Sequence, residues 1–352
     1  MRHRRSSLAI AAAFIWFALP SVAAVPAGAK SKPLQIFSID VEGGQSTLIV
    51  SPSGQSLLID TGWPGFGGRD ADRIVSAAKT AGLTQIDYVL ITHFHRDHVG
   101  GAPQLAQRFK IGTLVDHGPN HEDSDVTRAD YAAYEKVLPG HKHIVVKPGD
   151  RIPIEGIDVV VLTADGNHIQ KPLADAGKPN PACAEEPKPS ADTTENARSL
   201  GVLVTHGKFR MLDLGDLTKD KELEIVCPNN MIGTVDLFIV SHHGSNQSDT
   251  NALVSAIHPA AAVMNNGARK GGSPDVWTIV NNVVGPDRFW QLHYAVEGGQ
   301  QHNVAEKFIA NPDEKSDQGK DIRVRAFADG KFEITNSRNG FELKYPLKPA
   351  GQ

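Results

Sequence analysis

Three imidazoles and one carboxylate fall within six consecutive positions of this chain, in Thr92-His93-Phe94-His95-Arg96-Asp97-His98. Neutral imidazole and carboxylate are the ligands that zinc and similar divalent ions take. The apolar run 86–91 before the cluster reads as a buried strand. Residues 99–105 after it open a helix, so the cluster sits on a strand-to-helix turn. On the extended side His93 and His95 point the same way, because side chains alternate with period two. Asp97 and His98 lie past the bend and face a different point. Two pairs aimed at two points predict two metal ions.

The flanking segments supply a frame for such a turn. Residues 34–41, 46–50 and 56–62 read as short strands joined by Glu42-Gly43-Gly44-Gln45 and Ser51-Pro52-Ser53-Gly54, a meander suited to one sheet of a sandwich. A helix is expected over 70–81, with Ile74, Val75, Ala78 and Ala81 on one face. Further helices are expected over 102–109 and 131–138, with strands at 112–115, 143–147 and 151–163. Residues 164–194 hold five prolines and many polar residues, which reads as a long inserted loop bordering the site. A hairpin over 199–214, a helix over 219–226 and a strand over 235–240 follow. Beyond them come a strand at 260–264, a helix over 274–283, a strand through 290–293 and a terminal hairpin over 322–327 and 331–345.

The motifs at the strand ends carry a resemblance. Thr-His-x-His-x-Asp-His looks like the defining motif of the metallo-β-lactamase superfamily. Leu58-Ile59-Asp60-Thr61-Gly62, Gly215-Asp216-Leu217 and Ser241-His242-His243-Gly244-Ser245 resemble its partner motifs. Residues 40–245 look most like one branch, the metallo-hydrolase domain of bacterial competence DNA-uptake channel proteins and its soluble relatives. The resemblance implies a four-layer αββα sandwich, one domain over 30–352, with the metal site at the edge between two sheets. It implies that Asp60 sits beneath the metals and orients a ligand, and that Asp216, rather than its rival Asp213, bridges them. His93 and His95 would serve one ion, and Asp97, His98 and His242 the other, with His243 as a second candidate for the last place. The ions would be zinc, or manganese. Asp97 could also take a proton.

Two features depart from that pattern. Where many members carry a further His, this chain reads Thr194-Glu195-Asn196-Ala197-Arg198. The first metal site is then either incomplete or filled by Asn196, Glu195, water or a loop histidine such as His168. His117 and His121 also lie on a loop within reach, although solvated loop histidines are the blander reading. No channel segment is evident, so DNA transport is not implied.

The expected chemistry is metal-assisted hydrolysis, by a water held between the ions, of a carbonyl or phosphorus centre. Arg269 and Lys270 on the glycine-rich loop 265–273 suit a phosphate oxygen, which tilts the choice to a small-molecule or terminal phosphodiester. The net charge of −4 and the lack of a basic stripe argue against an extended nucleic-acid footprint. Carbonyl hydrolysis of a lactam, lactone or thioester is the alternative, as is a metal-binding protein without activity. Residues 1–29 read as a secretory signal peptide: Arg2, Arg4 and Arg5, an apolar run over 8–20, then Val22-Ala23-Ala24 and Ala27-Gly28-Ala29 as cleavage patterns. The mature chain is then exported, periplasmic or secreted, without a membrane span. In that compartment Cys183 and Cys227, the only cysteines, can pair; the sequence leaves this open.

Overall fold

The meander expected at the start of the chain forms because its turn residues permit tight reversals between apolar strands. The computed structural model describes residues 32–316 and 318–346; the segment read as a signal peptide lies outside them. Strands β1 (Leu34–Ser38), β2 (Thr47–Val50) and β3 (Ser56–Ile59) pair antiparallel. The chain then alternates between helix and strand through α1 (Arg69–Thr80), β4 (Gln85–Leu90), α2 (Arg96–Val99), α3 (Ala102–Arg108), β5 (Lys110–Asp116), α4 (Asp125–Glu135) and β6 (Lys142–Val145). Strands β3 to β6 run parallel, as crossover helices require. Helix α4 starts six residues earlier than its apolar pattern announced, because the Ser124 hydroxyl accepts from Thr127 N and caps it.

A second sheet follows. It contains β7 (Arg151–Ile152), β8 (Asp158–Ala164), the short β9 (Asn167–His168), β10 (Gly201–His206) and β11 (Phe209–Asp213). Helix α5 (Lys219–Val226) leads to β12 (Leu237–Val240), α6 (Asn251–Ile257), β13 (Ala261–Met264), α7 (Pro274–Val284), β14 (Phe289–His293) and β15 (Ile309–Asn311). Strands β11 to β15 are parallel neighbours. The end of the chain is a three-stranded meander rather than a hairpin: β16 (Ile322–Ala326), β17 (Phe332–Asn336) and β18 (Glu342–Tyr345). It returns to the first sheet, where β16 pairs antiparallel with β1. The sheet orders are β18-β17-β16-β1-β2-β3-β4-β5-β6 and β15-β14-β13-β12-β11-β10-β8-β7, with β9 on β8.

Side-chain parity explains the layering. In β1, Leu34 and Ile36 join the core shared with the second sheet, whereas Phe37 packs toward the helices on the outer face. Ile49, Leu57, Ile59, Leu90 and Val115 likewise face inward, and Leu48, Val50, Leu58, Val89 and Leu114 face α1, α3 and α4. Strands apolar on both faces need cover on both faces. Two such sheets with outer helices make the αββα sandwich expected from the resemblance.

The 164–194 loop is anchored. Cys183 is bonded to Cys227 at the end of α5, with Cα atoms 5.8 Å apart. The bond closes a loop spanning a sequence separation of 44. A chain-entropy argument gives about 2–4 kcal/mol of stabilisation for such a loop. Chemical denaturation of the Cys183→Ser, Cys227→Ser double variant is expected to show a loss of that order relative to the oxidised parent.

Candidate metal centre

The histidine cluster adopts the bend that its spacing predicts. Strand β4 stops at Leu90, and His95 is still extended, with φ −71° and ψ 148°. Asp97 and His98 are already in the first turn of α2. Strand β11 delivers Asp216 three residues beyond its end. Strand β12 ends in a tight turn in which His242 and His243 both have left-handed backbones, φ 51° and 56°. The candidate ligands therefore meet at the rim between the two sheets.

Four donor atoms converge there. Asp97, His98, Asp216 and His243 each offer one, all within 4.8 Å of one another, and all four residues are buried. His98 Nε2 lies 3.3 Å from Asp97 Oδ2, 3.1 Å from Asp216 Oδ2 and 3.2 Å from His243 Nε2. His243 Nε2 lies 3.1 Å from Asp97 Oδ2 and 3.5 Å from Asp216 Oδ2. Asp60 stands beneath, at 2.7 Å from His98 Nδ1, and accepts from the Thr92 backbone N–H and hydroxyl. A carboxylate on Nδ1 fixes the imidazole and turns Nε2 toward the cluster. Two imidazoles and two carboxylate oxygens at this spacing fit a divalent ion. Asp216 Oδ1, buried without a hydrogen-bond partner, is available to another.

The second pair faces the neighbouring point. His93 Nε2 and His95 Nδ1 are 3.1 Å apart, and His93 Nε2 is 3.9 Å from Asp216 Oδ2. The gap left by the absent further His is not closed by Glu195. That carboxylate is fully buried but turned away, taking His117 Nε2 at 3.1 Å and the backbone N–H groups of Phe94 and His121. His168 is beside Glu224 at 3.3 Å, and His121 beside Asp165 at 3.5 Å. The loop histidines are thus engaged elsewhere. Glu122, which no sequence pattern marked, contacts His95 Nε2 at 2.9 Å and accepts from Glu195 N. Only the folded 116–123 loop brings it there.

Two expectations change in detail, those for His242 and for the Arg269–Lys270 pair. The four-donor group takes His243 where His242 was preferred. His242 Nε2 is 3.4 Å from Asp216 Oδ2 but at the outer edge, with Nδ1 3.3 Å from Ser248 Oγ. The left-handed turn aims the second His inward, which the resemblance alone did not distinguish. Asp213, the rival of Asp216, lies below the centre, where both its oxygens accept from Gln45 Nε2; burial pushes its carboxyl up to about 6. Arg269 and Lys270 do not act together: Arg269 is exposed and paired with Glu314, while the Lys270 ammonium contacts Asp97 Oδ2.

Charge burial sets the proton positions. Burial alone raises the Asp97 carboxyl, but His98, Lys270 and the His243 hydrogen bond outweigh it and hold the group well below the usual range. Asp216 is held well below for the same reason, by His242, His98 and His243 against burial. For His98 burial favours the neutral ring, yet Asp216, Asp97 and Asp60 win and raise it well above 6.5. His93 goes the other way, depressed by burial and by the charges of His98 and His95. Burial brings His242 down to about 4. A second group, Asp40, Glu42 and His293, also has donor atoms within 4.8 Å. The Arg73 guanidinium already lies 3.2 Å from Asp40 and 3.4 Å from Glu42, and His293 Nε2 is 2.7 Å from Asp40 Oδ1. That group is an ion-pair joint between the ends of β1 and β14.

A rim of buried imidazole and carboxylate between two sheets defines a metal-binding αββα protein. Residues 39–170 match the family model described as Metallo-beta-lactamase superfamily, and the chain carries a domain of that superfamily. It is 25% identical over 239 residues to Recombination protein 2 of Haemophilus influenzae, covering 67% of this chain and 25% of that protein. It is 26% identical over 249 residues to ComE operon protein 3 of Bacillus subtilis, covering 66% and 28%. These are competence proteins, the branch the motifs resemble, and the chain spans only about a quarter of their length. It is also 33% identical over 106 residues to an atrochrysone carboxyl ACP thioesterase of Cryptosporiopsis, covering 28% of this chain and 32% of that protein.

Zinc titration with chelator competition tests the donor group. His243→Ala is expected to weaken binding by more than about 100-fold, and His242→Ala by less than about tenfold. In the metal-free parent Asp216, Asp97 and Asp60 favour the protonated His98 ring, and a metal ligand must be neutral. Zinc binding should therefore release a proton and tighten as pH rises, levelling off above the metal-free His98 pKa.

Proposed function

We propose that this chain is an exported, metal-dependent hydrolase of a small or terminal phosphodiester. The observation that carries the substrate class is the Lys270 ammonium beside Asp97, a cation at the very edge of the donor group. A phosphodiester brings an anionic oxygen to the scissile bond, and a simple lactone does not. The net charge of −4 speaks against a long nucleic-acid strand as the ordinary substrate.

The residues divide the work by position. Asp97, His98, Asp216 and His243 would hold one divalent ion, and His93 and His95, with Asp216 shared, a second; zinc fits the donor set, and manganese is the second choice. When bound, such ions acidify water and stabilise charge on the reacting oxygen atoms. Asp60 holds the His98 ring in register. Lys270 offers its charge to the substrate's non-bridging oxygen. Asp97, held well below the usual carboxylate range, would serve the first of these ions as an anionic ligand rather than as a proton carrier.

A carbonyl reading is favoured by one observation, the 33% identity over 106 residues to a protein named as a thioesterase. The assay that decides sets bis-p-nitrophenyl phosphate beside a chromogenic β-lactam, a lactone and a thioester, each with zinc and with manganese. We expect metal-dependent turnover of the diester, lowered by roughly 10- to 100-fold in Asp60→Asn. Turnover of the lactam, lactone or thioester with none of the diester overturns the assignment.

Export rests on the sequence of residues 1–29 and accords with a disulfide, which persists in oxidising compartments. N-terminal sequencing of the protein recovered outside the cytoplasm should find a chain that starts near Val25 or Lys30. Recovery with Met1 intact would contradict cleavage.

A further inference from the structure

The loop that carries Lys270 is built to hold it in place. Gly43 has φ 80°, and a Cβ there would lie 2.9 Å from Gly267 N and 3.0 Å from Lys270 Cβ. The loop thus docks backbone to backbone on the 42–45 turn, and Gly267 N bonds back to Lys270 O at 2.9 Å. On its other side Gly271 has φ 72°, a Cβ there would overlap the His243 carbonyl, and that carbonyl accepts from Gly272 N at 2.9 Å. Lys270 is therefore fixed between the first strand turn and the His243 turn, and is not a solvated cation on a free loop.

Its head group meets two partners. The ammonium contacts Asp97 Oδ2, the same oxygen that faces His98 Nε2 at 3.3 Å and His243 Nε2 at 3.1 Å. It also lies 5.0 Å from the centroid of the Trp63 ring. A single carboxylate oxygen thus serves both the lysine and the donor group. A divalent ion in that group needs this oxygen and repels the ammonium. Trp63 offers the displaced head group an aromatic face within reach.

We propose that Lys270 is an internal counter-cation of the metal centre, which competes with the ion for Asp97 and is displaced toward Trp63 when the ion binds. In the metal-free protein it neutralises a buried carboxylate that would otherwise stand among other negative charges. In the loaded protein it is released to the mouth of the site. Metal affinity is thereby lowered, and the lysine's charge becomes available only when the ion is in place. The proposal concerns the metal alone and does not depend on which bond the protein cleaves.

The test measures zinc affinity by competition with a chromophoric chelator, at one pH and low ionic strength, without any substrate. Lys270→Met and Lys270→Gln remove the charge and keep most of the side-chain length. Both are expected to bind zinc about tenfold more tightly than the parent, since a like charge a few ångströms away is removed. Lys270→Arg, which keeps the charge, and Arg269→Ala, which lies outside the centre, should stay within about threefold of the parent. Tryptophan fluorescence should shift on zinc binding in the parent and shift less in Lys270→Met. Circular dichroism checks that each variant is folded; if Lys270→Met is not, Lys270→Gln decides. Equal or weaker zinc affinity in the folded uncharged variants overturns the proposal. Turnover of any ester or diester is not part of the readout, so failure of the phosphodiester reading and failure of this one are separately visible.

Discussion

Asp60, Asp97 and Asp216 are buried close together at the rim of two sheets, and everything around them answers that concentration of negative charge. An unpaired carboxylate removed from water costs several kcal/mol, so each must find a cation or a donor. Asp60 finds the Thr92 backbone and hydroxyl and the His98 ring. Asp97 and Asp216 find His98, His243 and Lys270. The proton that His98 keeps and the ammonium of Lys270 are what the structure uses where a divalent ion would serve both carboxylates at once. Carboxylates gathered this closely favour any cation that can reach them, a proton and an ammonium included.

The same demand shapes the scaffold. The ligands come from turns at the ends of β4, β11 and β12, which belong to two different sheets. Their mutual distances therefore depend on how the sheets are fastened. Gln45 does part of this: its amide donates to Asp213 and its carbonyl accepts from Asn265 Nδ2, linking the first-sheet turn to two strand ends of the second. The Asp40–His293 contact, backed by Arg73, does the same further along the rim. Polar bridges of this kind add directional contacts to the close-packed apolar core between the sheets.

Much of this is written locally in the sequence. The alternation that places His93 and His95 on one side, and the helix start that turns Asp97 and His98 to another, follow from period and turn chemistry alone. The place of Asp60 beneath the site is legible only through the resemblance of Leu58-Ile59-Asp60-Thr61-Gly62 to a family motif, since by itself a carboxylate at a strand end could equally cap the next loop. Other features depend on segments far apart in the chain. Glu122 meets His95 and Glu195 only after three loops have folded together. The choice of His243 over His242 turns on two left-handed residues, a conformation not encoded by any periodicity. Arg269 looked like a partner for Lys270, but the distant Glu314 takes it instead. Strand β15 and the split of 331–345 into two strands escaped notice because short edge strands carry little pattern of their own.

The return of the last strands to the first has a consequence for the order of events in folding. Leu34 pairs with Ala326, and the first strand has no neighbour on that edge until residues near the far end have been made. Until β16 arrives, β1 has an unpaired edge on the side away from β2. The sheet that carries the histidine turn cannot close from the amino terminus onward. Its completion on that side is a long-range pairing, the kind of contact that forms slowly because the intervening chain must first be brought together.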